Sequence, residues 1–308
     1  MMDCPSGLKR TSLMRGSWLR VEMDKGGVLV MAYNLLNRFG YYTKALDQDW
    51  QDSLGIEKLD HAETVFSIVL DVDWAPDFVI YETAALLKER QIRASWFITH
   101  PSPAVEWLKG FPETYELGIH PNFLANSSQG KTQAEVVDYC LRILPDAVSM
   151  RTHAYHQSSL MFDHIGRTTS IENDASVFMP LTRDLHPARY WIGERYLNRF
   201  PVFWEEDNEL KKPEPHMKFD ADLVNSPGLK IFAFHPMLLY LNSASIQSYS
   251  IMKNEFSNFN DLDEESIQPF VNRQKIGVHD FLDGLADHVN RSSHYHLIRE
   301  LPNLYNKE

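Results

Sequence analysis

The feature that most constrains the fold is an alternation that begins at Val65, where short apolar runs give way in turn to longer amphipathic stretches. That rhythm predicts strand, helix, strand in an α/β fold. FSIVL (66–70) is the first expected strand. After Pro76 a helix is expected to about Arg90, with Ile80, Ala84 and Leu87 on one face at spacings of four and three. SWFIT (95–99) and YELGI (115–119) are expected strands, with a short helix around 104–109 between them. Thr132 followed by Glu135 makes a capping box, Val136, Cys140 and Leu144 share a face, and Pro145 forbids continuation of that helix. Further strands are expected at 147–150, around 168–171, at 200–203 and at 229–234, and a last helix carries Phe281, Leu285 and Val289. The span from Leu241 to Lys275 shows little periodicity and reads as loop, placed to act as a lid.

A chain of 308 residues can bury one large core, and this rhythm favours a single barrel-sized domain at 63–293 between an N-terminal extension (1–62) and a C-terminal tail (294–308). No apolar run approaches the ~20 residues of a membrane-spanning helix. The formal charge of −12, without a basic stripe, excludes a nucleic-acid partner and suits a neutral or cationic substrate. Cys4 and Cys140 are too few for a disulfide framework and lie at no metal-ligand spacing, which points to a reducing compartment, the cytoplasm. Lys9, Arg10, Arg15 and Arg20 precede a short apolar run from Val28 to Leu36 that imitates a signal peptide. Asn34 interrupts it and no small-residue cleavage pattern follows, so the segment reads as an intracellular extension, with Met23 and Met31 as alternative starts.

One expected strand after another runs into a residue able to bind metal or carry a proton. FSIVL leads to Asp71 and Asp73, SWFIT to His100, YELGI to His120, the segment after Ala147 to Arg151 and His153, PVF to Trp204 and Glu205, and KIFAF to His235. In a β/α barrel the strand C-termini converge on one rim, where active sites lie. Each residue also has a plain explanation: a lone histidine there is usually a loop residue, Asp71 and Asp73 could cap the helix after Pro76, and Arg151 could pair with a surface acid. Those explanations would have to hold separately at six strand ends. Gly130-Lys131-Thr132 imitates the end of a phosphate-binding loop, but Ala125 stands where the first glycine is needed, so it reads as a helix start. His294 and His296 read as surface residues of the tail.

LDVDWAP (70–76), ELGIHPNF (116–123), MRTH (150–153) with the nearby QSS (157–159), PVFWEED (201–207) and FAFHP (232–236) together resemble the polysaccharide deacetylases with the NodB homology domain, carbohydrate esterase family four. The resemblance spans roughly 65–289 and is strongest to the WbmS-type branch, found among genes for bacterial lipopolysaccharide O-antigen synthesis. It implies a single distorted (β/α) barrel of about seven strands and a metal-dependent hydrolase that deacylates an amino sugar. It also implies Asp71 as base and Asp73 as metal ligand, although Val72 intervenes where the family's aspartates are adjacent. His120 matches the first of the family's two second-motif histidines, and Leu124 stands where the second is expected. His153 is the reading for the third ligand, with His100 and Asn122 as rivals, and His235 matches the family's general acid. Arg151 would hold Asp71 ionised.

An aspartate and two histidines with an open position suit a divalent cation, most readily zinc. His100, Asn122, Trp204 and Glu205 are the candidate substrate contacts. Trp204 equally suits a core aromatic, and Glu205, Glu206 and Asp207 either include a residue that orients Arg151 or form a solvated charge run. Two other functions fit the same residues: hydrolysis of a non-sugar amide, and a barrel that binds carbohydrate without cleaving it.

Overall fold

Strand β3 (Thr64–Asp71) is buried on both faces along nearly its whole length, as a strand between parallel neighbours and beneath helices must be. The computed structural model describes residues 22–23, 29–30, 63–192, 194–256, 259 and 262–305. Of the N-terminal extension, with its apolar run and alternative starts, only two short antiparallel strands are described, β1 (Glu22–Met23) and β2 (Leu29–Val30), and the rest lies outside the described residues. After β3 the sheet strands are β4 (Ala94–Ile98), β5 (Tyr115–Ile119), β6 (Ser149–Met150), β7 (Asn173–Phe178), β8 (Ala188–Ile192), β9 (Arg195–Val202), β10 (Trp204–Glu205) and β11 (Gly228–Phe234). Helices α1 (Asp77–Glu89), α2 (Pro103–Leu108), α3 (Gln133–Ile143) and α4 (Ser159–Thr168) follow β3 to β6. After β10 come α5 (Glu206–Leu210), α6 (Pro236–Tyr240), α7 (Ile246–Glu255), α8 (Glu264–Ile267) and α9 (Val278–Val289).

The sheet closes on itself. Its order is β10-β11-β3-β4-β5-β6-β7-β9-β8, parallel throughout except for β8 against β9. Strands β9 and β10 are one run of chain interrupted only at Phe203, whose N–H donates to Ile231 O at 2.9 Å. Since that run pairs with β7 at one end and with β11 at the other, the α/β sheet is consistent with the expected (β/α) barrel, a ring of seven strands. The barrel is distorted where β9 and β11 part company lower down. There Leu185 O accepts from Leu229 N at 2.7 Å, and Gly228 turns at φ 97° with Leu185 so close that a Cβ would meet its backbone oxygen at 2.7 Å.

Register levels the strand ends. Phe234 pairs with Leu70, Ile98 with Ile119, Ile119 with Met150, and Met150 with Asp174. One residue further on, His235 stands level with Asp71, and His120 with Arg151. The lower end is closed by the chain after α9: Phe66 N donates to His294 O (2.8 Å), His296 N to Phe66 O (3.0 Å), Ile298 N to Ser95 Oγ (3.0 Å) and Arg299 N to Glu116 Oε2 (3.0 Å). His294 and His296 are half-buried in that closure. Buried Glu116 also accepts from Ser95 (2.6 Å) and Ser149 (2.5 Å), so its two oxygens tie three strands to the C-terminal segment.

The capping box is present as expected, Thr132 Oγ1 accepting from Glu135 N and Glu135 accepting from Thr132 N. Two expectations are corrected. The strand read at 168–171 is the end of α4 and the turn after it, because Met161, Phe162 and Ile165 bury one helical face and Ser158 caps it. The loop read from 241 to 275 contains α7 and α8; α7 buries only Met252, so it has almost no apolar stripe to betray it. The edge strand β8 was not expected, and four of its five residues are exposed. Among the described residues no helix is long and apolar enough to cross a membrane.

Candidate metal and catalytic site

The upper rim of the barrel gathers most of the chemistry that the strand ends bear. Asp71 ends β3, Val72 is buried, and Asp73 opens the turn that follows, so both aspartates stand at the rim. The chain then doubles back through two left-handed residues, Asp73 (φ 46°) and Trp74 (φ 58°), and Thr99 Oγ1 accepts from Trp74 N at 3.0 Å. A second such pair, Ala154 (φ 54°) and Tyr155 (φ 54°), follows His153. Left-handed conformation costs a non-glycine residue roughly 1–2 kcal/mol, so both loops are held in place by their surroundings.

Two clusters result. In the first, His120 Nε2 lies 3.2 Å and His153 Nδ1 3.0 Å from the same atom, Asp73 Oδ1. Trp74 meets the edge of the His153 ring at a centroid distance of 5.6 Å. Burial disfavours the Asp73 carboxylate, yet hydrogen bonds from His120 and His153, and then positive charge at His235, hold its carboxyl well below the usual range. In the second cluster, Arg151 Nε donates to both oxygens of Asp71 (2.8 and 2.7 Å), Nη1 to Ala175 O (2.8 Å), and Nη2 to Tyr155 Oη and Glu205 Oε1 (2.8 Å each). Beside it, His235 Nδ1 lies 2.9 Å from Glu206 Oε1, which also accepts from the His235 backbone N–H. Burial lowers the affinity of His235 for a proton, but the charge and hydrogen bond of Glu206 outweigh it and raise its pKa well above the ordinary value. His235 Nε2 is left facing Asp73 Oδ2 at 3.7 Å.

The first cluster fits a cation on three counts. Ligands about 2.0–2.1 Å from a tetrahedral metal stand about 3.3 Å apart, close to the 3.0 and 3.2 Å edges seen here. His120 Nδ1 is buried without a hydrogen-bond partner, 3.7 Å from Asp71 Oδ1, in the direction where a ligating histidine usually donates its second N–H. And four carboxyl groups, Asp71, Asp73, Glu205 and Glu206, gather around Arg151 and His235, with burial pushing Glu205 up to about 7, so the floor is rich in oxygen donors.

A cavity of about 410 Å³ opens above both clusters, lined at its floor by Asp71, Asp73, Arg151, His153, Glu205 and His235. The two rivals for third ligand are elsewhere. Thr99 stands level with His120 and faces inward, so His100 faces away, and its Nδ1 lies 2.9 Å from Thr99 Oγ1. Asn122 serves its own loop, its N–H donating to Gln129 Oε1 (2.6 Å) and its Oδ1 accepting from Leu124 N (3.0 Å). Neither lines the cavity as a substrate contact. Trp204 is corrected as well: it stacks on Phe281 with centroids 4.0 Å apart and rings within 1° of parallel, in the layer outside the barrel, and no sugar can reach it. Sequence reasoning missed Glu206 as the partner of His235 and Tyr155 as a partner of Arg151; the run Glu205-Glu206-Asp207 carries no mark of which acid turns where.

Residues 68–253 match the family model of WbmS-like polysaccharide deacetylases. The crystal structure of WbmS from Bordetella bronchiseptica, a candidate polysaccharide deacetylase of O-antigen biosynthesis, is similar over 72% of this chain and 90% of its own, at 27% identity and a TM-score of 0.61. The Xyl-CE4 domain of a multidomain xylanase from the hindgut metagenome of Trinervitermes trinervoides matches over 80% of this chain and 95% of its own at 11% identity and a TM-score of 0.41. No curated protein matches the sequence. With the family model covering more than half of the sequence, the chain belongs to the WbmS-like polysaccharide deacetylase family.

Proposed function

We propose that this protein hydrolyses the acyl amide of an amino sugar, most simply an N-acetyl group, in the synthesis of a surface polysaccharide. The observation that carries the reading is the convergence of His120 and His153 on one oxygen of Asp73, directly beside an aspartate clamped by arginine and a histidine clamped by glutamate. Asp73, His120 and His153 would hold a divalent cation, zinc by the character of their donors. Bound there, such an ion would lower the pKa of water from ~16 towards ~7 and so would supply a nucleophile at neutral pH.

The rest is the work of the chain. Asp71 takes the proton of the attacking water, and Arg151 Nε, donating to both of its oxygens, keeps the carboxyl aimed. His235 delivers a proton to the amine nitrogen as the carbon–nitrogen bond breaks, since an amide anion is too poor a leaving group to depart unprotonated. Glu206 fixes the ring so that Nε2 faces the cavity. The sugar context rests on family membership and on WbmS, and His153 in the place left by Leu124 supports a working hydrolase over a barrel that only binds.

Amine release from N-acetylated amino sugars and from small amides, with and without added zinc, tests the proposal. Asp71→Asn and His235→Ala should each abolish turnover while retaining metal. A normal rate in either variant removes that residue from the scheme, and faster cleavage of small amides than of any sugar removes the substrate.

A further inference from the structure

The chain's net charge of −12 favours a neutral or cationic ligand, but the mouth of the cavity says otherwise. Lys211, just after α5, and Lys253, on α7, both line it. Ile246, Tyr249 and Lys253 fall at intervals of three and four, so one face of α7 looks into the cavity. Arg151 does not reach an incoming anion at the mouth, because its side chain is buried and each of its three nitrogens is held by Asp71, Glu205, Tyr155 or Ala175. Lys253 has no carboxylate partner among the described residues; its ammonium lies over the Tyr249 ring at 5.2 Å and near that of Phe259 at 5.9 Å. Aromatic faces position an ammonium without using its N–H donors. Lys211 donates to Asp207 at 2.6 Å, which occupies one of its three N–H groups.

We propose that the substrate is an acylated amino sugar bearing an anionic group, a carboxylate or a phosphate, which Lys253 and Lys211 receive at the mouth while the acylamino group reaches the floor. This deepens the deacylase reading and rests on it. The cavity, at about 410 Å³, lies at the small end of the ligand-site range, so the anion is carried on or next to the sugar being cleaved. Two sources share this chemistry: a uronic acid, and a sugar joined to a phosphate carrier.

Calorimetric titration of the full chain with N-acetylglucosamine, 2-acetamido-2-deoxyglucuronic acid and N-acetylglucosamine 1-phosphate tests it, with Lys253→Gln and the double variant with Lys211→Gln alongside. We expect at least one anionic sugar to bind about tenfold more tightly than the neutral one, with the ratio falling towards one in the variants and in high salt. Preference for the carboxylate identifies a sugar acid, and preference for the phosphate a carrier-linked sugar. Equal binding of all three, an unchanged ratio in the variants, or no binding of any of them at millimolar concentration overturns the proposal. Because binding is read without turnover, these results stand apart from the amine-release assay that tests the deacylase itself. Lys253 is exposed, and a melting curve that matches the parent verifies that the variant is folded.

Discussion

The two clusters on the barrel rim are built in opposite ways. Asp71 and Arg151 are nearly sealed, their side chains 5% and 1% exposed, and each polar atom of Arg151 has a fixed protein partner. Asp73 and His153, at 20% and 25%, are open to the cavity, stand on left-handed turns, and crowd a single oxygen without satisfying His120 Nδ1. A complete network resists change, whereas an incomplete one waits for a ligand. The contrast separates the residues that hold protons in place from those that would hold a cation.

Breaking the open cluster should have the largest effect. Asp73→Ala should remove stoichiometric metal and slow amine release by at least about 10⁴-fold. Metal analysis beside the rate assay checks this, and retention of a full equivalent of metal would break the comparison. Breaking the sealed cluster should instead destabilise the fold. Arg151→Met leaves Asp71 and Glu205 buried without their cation and should cost about 3–5 kcal/mol, read by denaturant titration.

Glu206→Gln sharpens the boundary between them. It should lower kcat roughly 10- to 100-fold with metal content unchanged. Because Glu206 raises the pKa of His235, its loss lowers that pKa; the acid must be protonated to act, so the alkaline limb of the kcat profile should move to lower pH. A profile that stays in place would show that Glu206 is only packing. The smallest effect is expected at Ala154→Gly, where relief of the left-handed conformation should be worth about 1 kcal/mol or less in stability, visible as a modest rise in melting temperature.

Much of the barrel was legible because a buried parallel strand is a largely apolar run, as in β3 and β11, and because the capping box of α3 is written locally in Thr132 and Glu135. Helix α7 was hidden because it buries only Met252 in a core, while Ile246, Tyr249 and Lys253 face a cavity. At the site, position at a strand end was readable but direction was not. His100 and Trp204 are each one residue out of phase with an inward neighbour, Thr99 and Glu205, and a one-residue difference in a strand reverses the face. The assignment of His153 rested on counting ligands, and the fold brings it to Asp73 because β6 ends level with β5.

The partnership of β3 with β11 and with the chain around Tyr295 also sets a schedule. The first barrel strand to leave the ribosome is flanked on one side by one of the last, and at about 5–20 residues per second its edge stays bare for roughly 8–30 s. During that interval the nascent chain presents an unpaired, largely apolar strand, the kind of template that invites association with other chains. Expression yield should therefore depend on chaperones that shelter the half-made ring, and a truncation before residue 294 should aggregate rather than accumulate as a smaller soluble barrel.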